Sequence, residues 1–252
     1  DYRTLKAKLA ELHETDVAIF IEEHSPDKAA IVFRLLPKPQ AAEVFSLLDI
    51  DQRRTLVAAF SDQEESQIIE ELYTDDAVDF LEELPANAVN RVLSLATPET
   101  RKLLNRYMKY AEDSAGSIMT SEYIKLYPSF TVGEAIRHIR ERGEDRETIY
   151  TCYISDATRK LIGVVSVREL LLARDEQLVS EIMQENVISV DVNTDQEEVA
   201  NIISDYDLIA LPVVDKENRL VGIVTFDDVF DVVRREATED MQLMAGLRPS
   251  EK

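Results

Sequence analysis

An apolar triplet that returns every twelve residues sets the architecture of the first 110 or so positions. Leu36, Leu48, Phe60, Leu72, Leu84 and Ala96 fall at one phase of this period. Three and four residues before each stands an apolar pair: Val32–Phe33, Val44–Phe45, Leu56–Val57, Ile68–Ile69, Phe80–Leu81 and Val92–Leu93. Such i, i+3, i+4 spacing draws one stripe along a short helix. Pro37, Asp49, Ser61, Thr74, Pro85 and Thr97–Pro98 punctuate the units as turn or capping residues. One short helix cannot bury its own stripe, so neighbouring units must stack into a superhelix. This part is expected to be all-α.

The stretch Tyr110–Gly116 (YAEDSAG) carries no stripe and marks a domain boundary. Beyond it a longer repeat begins. Ser117-Ile118-Met119 returns as Glu181-Ile182-Met183, each followed by a strand-like run, Tyr123–Leu126 and then Val187–Val190. Thr131–Glu134 and Thr194–Glu197 open acidic, Thr-capped helices. Two β-rich runs around a turn follow in each copy: Ile149–Ser155 with Leu161–Val167, and Ile209–Asp215 with Leu220–Thr225. Each copy closes on a helix, from Val167 and from Phe226. A β-α-β-β-α unit present twice predicts a pseudo-symmetric pair.

Composition narrows the function. Fifty acidic against 28 basic residues give a formal charge of −22, which argues against nucleic acid and against adhesion to anionic lipid. Uncompensated charge of this size also strains a compact state unless cations offset it. Cys152 is the one cysteine, so no internal disulfide forms and a reducing compartment is expected. The longest apolar runs, such as Leu208–Val214, fall far short of the ~20 residues of a spanning helix. The start at Asp1 suggests a piece of a longer protein. His13, His24 and His138 are isolated, without zinc-ligand spacing. No nucleophile–base arrangement or phosphate-binding glycine loop is present, and no enzyme is expected.

The second half resembles a tandem CBS (Bateman) module, through LPVVDKENRLVGIVTFDDV (Leu211–Val229) and its weaker copy Tyr153–Leu170. The order of parts is more specific. The twelve-residue helical repeat, YAEDSAGSIMTSEYI (Tyr110–Ile124), TDQEEVANIISDYDLIALPVVD (Thr194–Asp215) and REATEDM (Arg235–Met241) together resemble the cytosolic region of MgtE magnesium channels. The resemblance implies a multidomain α plus α/β fold. A right-handed superhelix of short helices (1–112) precedes CBS repeats 1 (113–180) and 2 (181–233). Residues 234–252 then continue a connecting helix toward a transmembrane domain that this chain lacks. It further implies a homodimer formed through the CBS domains and a place on the cytoplasmic face of the cell membrane. Mg2+ bridging carboxylates between domains would favour a compact closed state.

Magnesium takes oxygen ligands octahedrally and sheds water reluctantly, so a sensor needs scattered carboxylates more than a local loop. Asp75 and Asp79 share one helix face; equally, Asp75 or Thr74 caps that helix and Asp79 is solvated. Asp191-x-Asn193-x-Asp195 starts like a calcium loop but has Gln196 and Ile202 where glycine and glutamate are required. Asp195 and Glu197 also suit a helix start. On the last helix, read as Asp227–Ala245, the residues Asp228, Asp231, Glu236, Glu239 and Asp240 lie on one broad half. By resemblance, Glu43, Asp75 and Asp79 are metal ligands facing the CBS pair. Asp195, Glu197 and Asp207 join them, and the acids of the last helix couple the metal to gating. CBS pairs also take adenine nucleotides, which makes ATP a second expected ligand, through Ser166/Glu169 and Thr225/Asp228. An adenine-nucleotide sensor and a helical assembly scaffold, as in flagellar motor-switch proteins, are the alternative functions.

Overall fold

Helix caps at twelve-residue intervals give the first repeat its period. In the computed structural model, N-caps fall at His13, Ser25, Pro37, Asp49, Ser61, Tyr73, Pro85 and Thr97. The structure describes residues 2–244, without the side chains of 2, 3, 231, 235, 236, 238–240 and 242–244. His13, Asp49, Ser61 and Thr97 each accept a backbone N–H of the turn they start, which satisfies donors the helix cannot. Thr74 is not a cap: Tyr73 carries the extended cap backbone and the buried Thr74 is the first helical residue. The period, counted from Ser61, puts the cap one position earlier than residue type suggested.

After α1 Tyr2–Leu9, eight helices start at these caps among the described residues: α2 Glu14–Glu22, α3 Pro26–Phe33, α4 Lys38–Leu47, α5 Ile50–Ala58, α6 Asp62–Glu71, α7 Thr74–Glu82, α8 Ala86–Leu95 and α9 Pro98–Tyr107. Alternate helices stack, α2 on α4, α4 on α6 and α6 on α8, with α3 on α5 and α7 on α9. The apolar pairs at the third and fourth positions before each phase residue are buried throughout. Phe45 lies at their centre, edge-on to Phe80 at 5.1 Å and near Phe33 at 6.2 Å. Two acids, Glu65 and Asp75, are also buried. Glu65, 4% exposed, receives Arg91 Nη2 at 2.5 Å. Burial pushes its carboxyl up, although the Arg91 guanidinium draws it down.

A break in packing falls between Met108 and Lys109. In the second unit each repeat forms a three-stranded sheet. β1 (Tyr123–Leu126) runs parallel to β2 (Thr148–Ser155), which pairs antiparallel with β3 (Leu161–Ser166). The second copy repeats this with β4 (Val190–Asp191), β5 (Ala210–Val214) and β6 (Leu220–Thr225). The helices are α10 (Val132–Arg142), α11 (Val167–Leu172), the short α12 (Val179–Ile182), α13 (Gln196–Asp205) and α14 (Phe226–Met244). β4 is shorter than the expected Val187–Val190 run, because Val187 packs into the core between the repeats, beside Tyr153 and Ala210.

The two copies are cross-stitched. Thr120, which opens the first, exchanges backbone hydrogen bonds with Ile223 of the second at 2.8 and 3.0 Å, and Gln184 does the same with Val164 of the first at 3.0 and 2.8 Å. Met119 and Met183 sit against Gly222 and Gly163, where no side chain stands in the way. The segment read as a featureless boundary is part of this unit too. Ala115 and Gly116 donate to Thr194 and Val192, and Gln196 donates to the carbonyl of Asp113, itself in the left-handed region at φ 56°.

The hairpin turns of the two copies also meet, with the Leu161 N–H on the Asn218 carbonyl at 2.9 Å. Asp215 holds the second turn: it accepts the Glu217 N–H, the Arg219 N–H and Arg219 Nε at 2.7 Å. Burial alone would raise its carboxyl, but the bonds from Arg219 outweigh burial and hold it below the usual range. Asp215→Ala is therefore expected to lower stability by about 1–2 kcal/mol at pH 7. A depressed carboxyl stabilises above its unfolded pKa and loses that contribution as pH falls through the folded one, so the gap should close below about pH 4. Denaturant melts of both proteins at pH 7 and pH 3 measure it.

Candidate functional site

A cleft of about 610 Å³ opens between the two repeats. Ser166, Arg168, Glu169 and Gln184 line one side, and Asp207, Ile209, Ala210 and Pro212 the other. This volume suits a small ligand. The sequence places Ser166 and Glu169 here by turning strand β3 directly into α11. Ser166 is the N-cap, and a reciprocal capping box ties it to Glu169. Burial would raise the Glu169 carboxyl, but hydrogen bonds from the Ser166 backbone, Gln184 and the Ser166 hydroxyl prevail and lower it. An ionised carboxylate and a guanidinium therefore stand side by side at the mouth of α11. In the second copy the Thr225 hydroxyl donates to Asp228 in the same i, i+3 relation, on a half-buried carboxylate.

The metal candidates are dispersed. Asp75 is buried and Asp79 exposed, both on α7. Glu43 projects from α4, and its partial burial, then the Glu14 carboxylate, raise its carboxyl. Asp195 is the N-cap of α13 and accepts the Glu197 N–H at 2.9 Å, while Glu197 itself is exposed. Asp207 is exposed at φ 51° in the turn after α13, a conformation aspartate tolerates better than most residues. Asp231, Glu236, Glu239 and Asp240 belong to α14, but their side chains lie outside the described ones. Among the described residues no three carboxylate, histidine or cysteine side chains converge to hold an ion. The chemistry still fits magnesium, which takes one or two protein carboxylates and keeps several waters.

Sequence reasoning missed Arg168 and Gln184 at the cleft. Gln184 had a signal: it directly follows the repeated Ile-Met and occupies the place of Thr120 in the other copy.

Two family models account for both units. The MgtE intracellular N domain matches residues 12–113, and the CBS domain matches 115–176 and 179–235. The crystal structure of the cytosolic domain of the Mg2+ channel MgtE in complex with ATP is 40% identical, with a TM-score of 0.87 over 92% of this chain and 95% of that one. The chain belongs to the MgtE family. The soluble part of a magnesium transporter gives 31% identity and a TM-score of 0.86, covering 94% of this chain and 100% of that one. The magnesium transporter MgtE of Thermus thermophilus is 41% identical over 251 residues, 98% of this chain and 56% of that protein. The chain thus spans about half the length of the curated MgtE relatives it matches. MgtE proteins are transporters, and the expectation that no reaction is catalysed rests on that membership. No helix among the described residues is long and apolar enough to cross a membrane.

Proposed function

We propose that this chain is the magnesium-sensing and gating region of a magnesium channel or transporter, acting at the cytoplasmic face of the membrane on a pore domain carried by the rest of the protein. The match to MgtE through both units, in order, over 98% of the chain carries this reading. The dispersal of the acids supplies a mechanism. Each candidate carboxylate is at most part of a shell, so an ion bound by several must draw them together from different domains. Bare carboxylates about 4 Å apart repel by roughly 4 kcal/mol at an effective dielectric of 20. Magnesium would cancel that repulsion at Glu43, Asp75 and Asp79 of the helical unit and at Asp195, Glu197, Asp207 and Asp228 of the repeat pair. Asp231, Glu236, Glu239 and Asp240 would extend the response along α14 toward the pore. Since a ligand shifts an equilibrium only by differential affinity, ions that bridge favour the compact, closed form and their loss opens it.

Titrating magnesium into the chain, with small-angle scattering and limited proteolysis as readouts, tests this. Compaction and protection are expected in the millimolar range, and an unchanged radius of gyration throughout would sink the gating model. Asp75→Asn with Asp79→Asn should raise the midpoint several-fold without changing the melting temperature by more than a few degrees. The forward-scattering mass reports the assembly. A dimer is expected, because Leu171, Leu172, Phe226 and Phe230 expose apolar surface on the repeat pair. A second reading, adenine-nucleotide sensing, is favoured by the cleft beside Ser166, Arg168 and Glu169. Compaction by ATP but not by magnesium would select it, and indifference to both would leave a scaffold.

A further inference from the structure

The acids of α7 do not end at Asp79. Asp75, Asp79 and Glu83 follow one another at four-residue intervals. Glu83 is the C-cap of the helix, still in helical conformation, with its N–H on the Asp79 carbonyl at 3.2 Å. It therefore stands one turn beyond Asp79 on the same face, where Cβ atoms are about 5–6 Å apart. Burial raises the Glu83 carboxyl most; the Arg53 guanidinium opposes that, and the Asp79 carboxylate adds to it.

A cation from another helix closes the row. Arg53 of α5 sets Nη2 3.3 Å from Glu83 Oε1, the two side chains being 15% and 20% exposed. Its neighbour Arg54 donates from Nη2 to the Glu83 carbonyl at 2.8 Å. The pair is poorly bonded for one so enclosed. Among the described residues, Arg53 Nε and Glu83 Oε2 are buried atoms without a hydrogen-bond partner. Half-satisfied buried charges contribute little to stability or cost it. What the arrangement does supply is a positive charge about one helical turn from a proposed metal ligand.

We infer that Arg53 is a resident counter-cation that sets the magnesium threshold of the α7 carboxylates, holding Asp75 and Asp79 to weaker binding than bare acids would give. This rests on the magnesium reading above and names how that site is regulated. A divalent ion feels twice the repulsion of a monovalent one from the same guanidinium, and the pair's low exposure limits screening by salt. Arg53→Met should therefore lower the magnesium midpoint about three- to tenfold. Glu83→Gln, which leaves the guanidinium without its acid, should raise the midpoint by a similar factor. With both changes the local charge is that of the wild type, and the midpoint should return to within about twofold of it. Arg53→Lys keeps the cation and should also stay near the wild type.

The experiment titrates magnesium into the chain and these four variants at pH 8 and low ionic strength, with radius of gyration and protease protection as readouts. That pH lies far above the ordinary glutamate range and keeps Glu83 ionised when Arg53 is gone. Metal-free thermal melts check that each variant folds, and Arg53→Gln replaces Arg53→Met if the latter does not. Opposite shifts of Arg53→Met and Glu83→Gln are expected. Equal midpoints in all the proteins overturn the inference. So do shifts of both single variants in one direction, which mark a purely structural pair, and so does Arg53→Lys behaving like Arg53→Met. In these three cases the magnesium reading itself stands. If the wild type does not compact at all, that reading falls and this inference falls with it.

Discussion

Gly222→Ala is expected to cost the repeat pair about 3 kcal/mol or more. A Cβ at this position would stand 2.6 Å from Met119 Sδ and 2.8 Å from the backbone oxygen of Thr120. The thioether can swing away, since methionine is adaptable. Thr120 cannot follow, because its N–H and its carbonyl are both bonded to Ile223, the next residue along β6. Relief therefore means parting that bridge, which adds lost backbone hydrogen bonds to the roughly 1–3 kcal/mol of ordinary overpacking. Gly163→Ala is the internal control. Its closest neighbours are the flexible end of Met183 at 2.7 Å and the Gln184 oxygen only at 3.3 Å, so a loss of about 1–2 kcal/mol is expected. Met119→Ala should rescue Gly222→Ala in part, leaving the contact with Thr120. Urea melts of the four proteins decide it. Equal stability of Gly222→Ala and wild type would mean that Thr120 is not seated on β6.

Arg91→Met should destabilise the helical unit by about 2–3 kcal/mol at neutral pH. The guanidinium is half exposed, but its partner Glu65 is not, with a side chain 2% exposed. Among the described residues, Glu65 Oε2 has no hydrogen-bond partner even in the wild type. Removing the cation leaves a buried carboxylate uncompensated, which costs more than the pair itself contributes. The pH dependence follows from burial having already raised this carboxyl. An acid whose folded pKa is raised stabilises the fold while protonated, and that contribution is lost as pH climbs from the unfolded value through the folded one. Without Arg91 the carboxyl rises further. The deficit should thus be greatest near pH 7 and shrink as pH falls toward the ordinary glutamate range near 4.3. Adding Glu65→Leu should restore most of the loss at every pH. A deficit that stays constant from pH 5 to pH 8 would show that Glu65 is not its source.

Most of the architecture could be read from spacing. The twelve-residue period located the helices of the first unit, because cap and stripe repeat together, and the starts of α11 and α14 at Val167 and Phe226 are those expected. Thr74 misleads because its residue type suits a cap, while the phase of the repeat puts the cap at Tyr73. The second repeat was recognisable from its paired motifs, yet its cross-stitching was not. Nothing local to Thr120 reveals that its partner is Ile223, and the glycines that admit Met119 and Met183 look like ordinary strand glycines. The site was legible in kind more than in geometry. Ser166 with Glu169 and Thr225 with Asp228 emerged from an i, i+3 rule that the capping geometry enforces. Arg168 and Gln184 did not, because lining a cleft depends on which side chains the far repeat brings near. The dispersed metal candidates have no local signature at all, and only the family resemblance selected them.

The bridge between Thr120 and Ile223 has a consequence for how the protein is made. The docking site for residues 119–120 is completed about a hundred residues after they leave the ribosome. Until Gln184 is made the first sheet keeps an open edge at Val164, and until Ile223 is made Met119 and Thr120 have no seat on β6. Contacts this distant in sequence form slowly, and open edges are vulnerable in the interval. The helical unit, whose stacking is between near neighbours, can be finished by that time. Synthesis therefore runs from an early half to a late half that closes in two stages, at Gln184 and then at Ile223, and a stall before Gln184 would strand the chain with both bridges open.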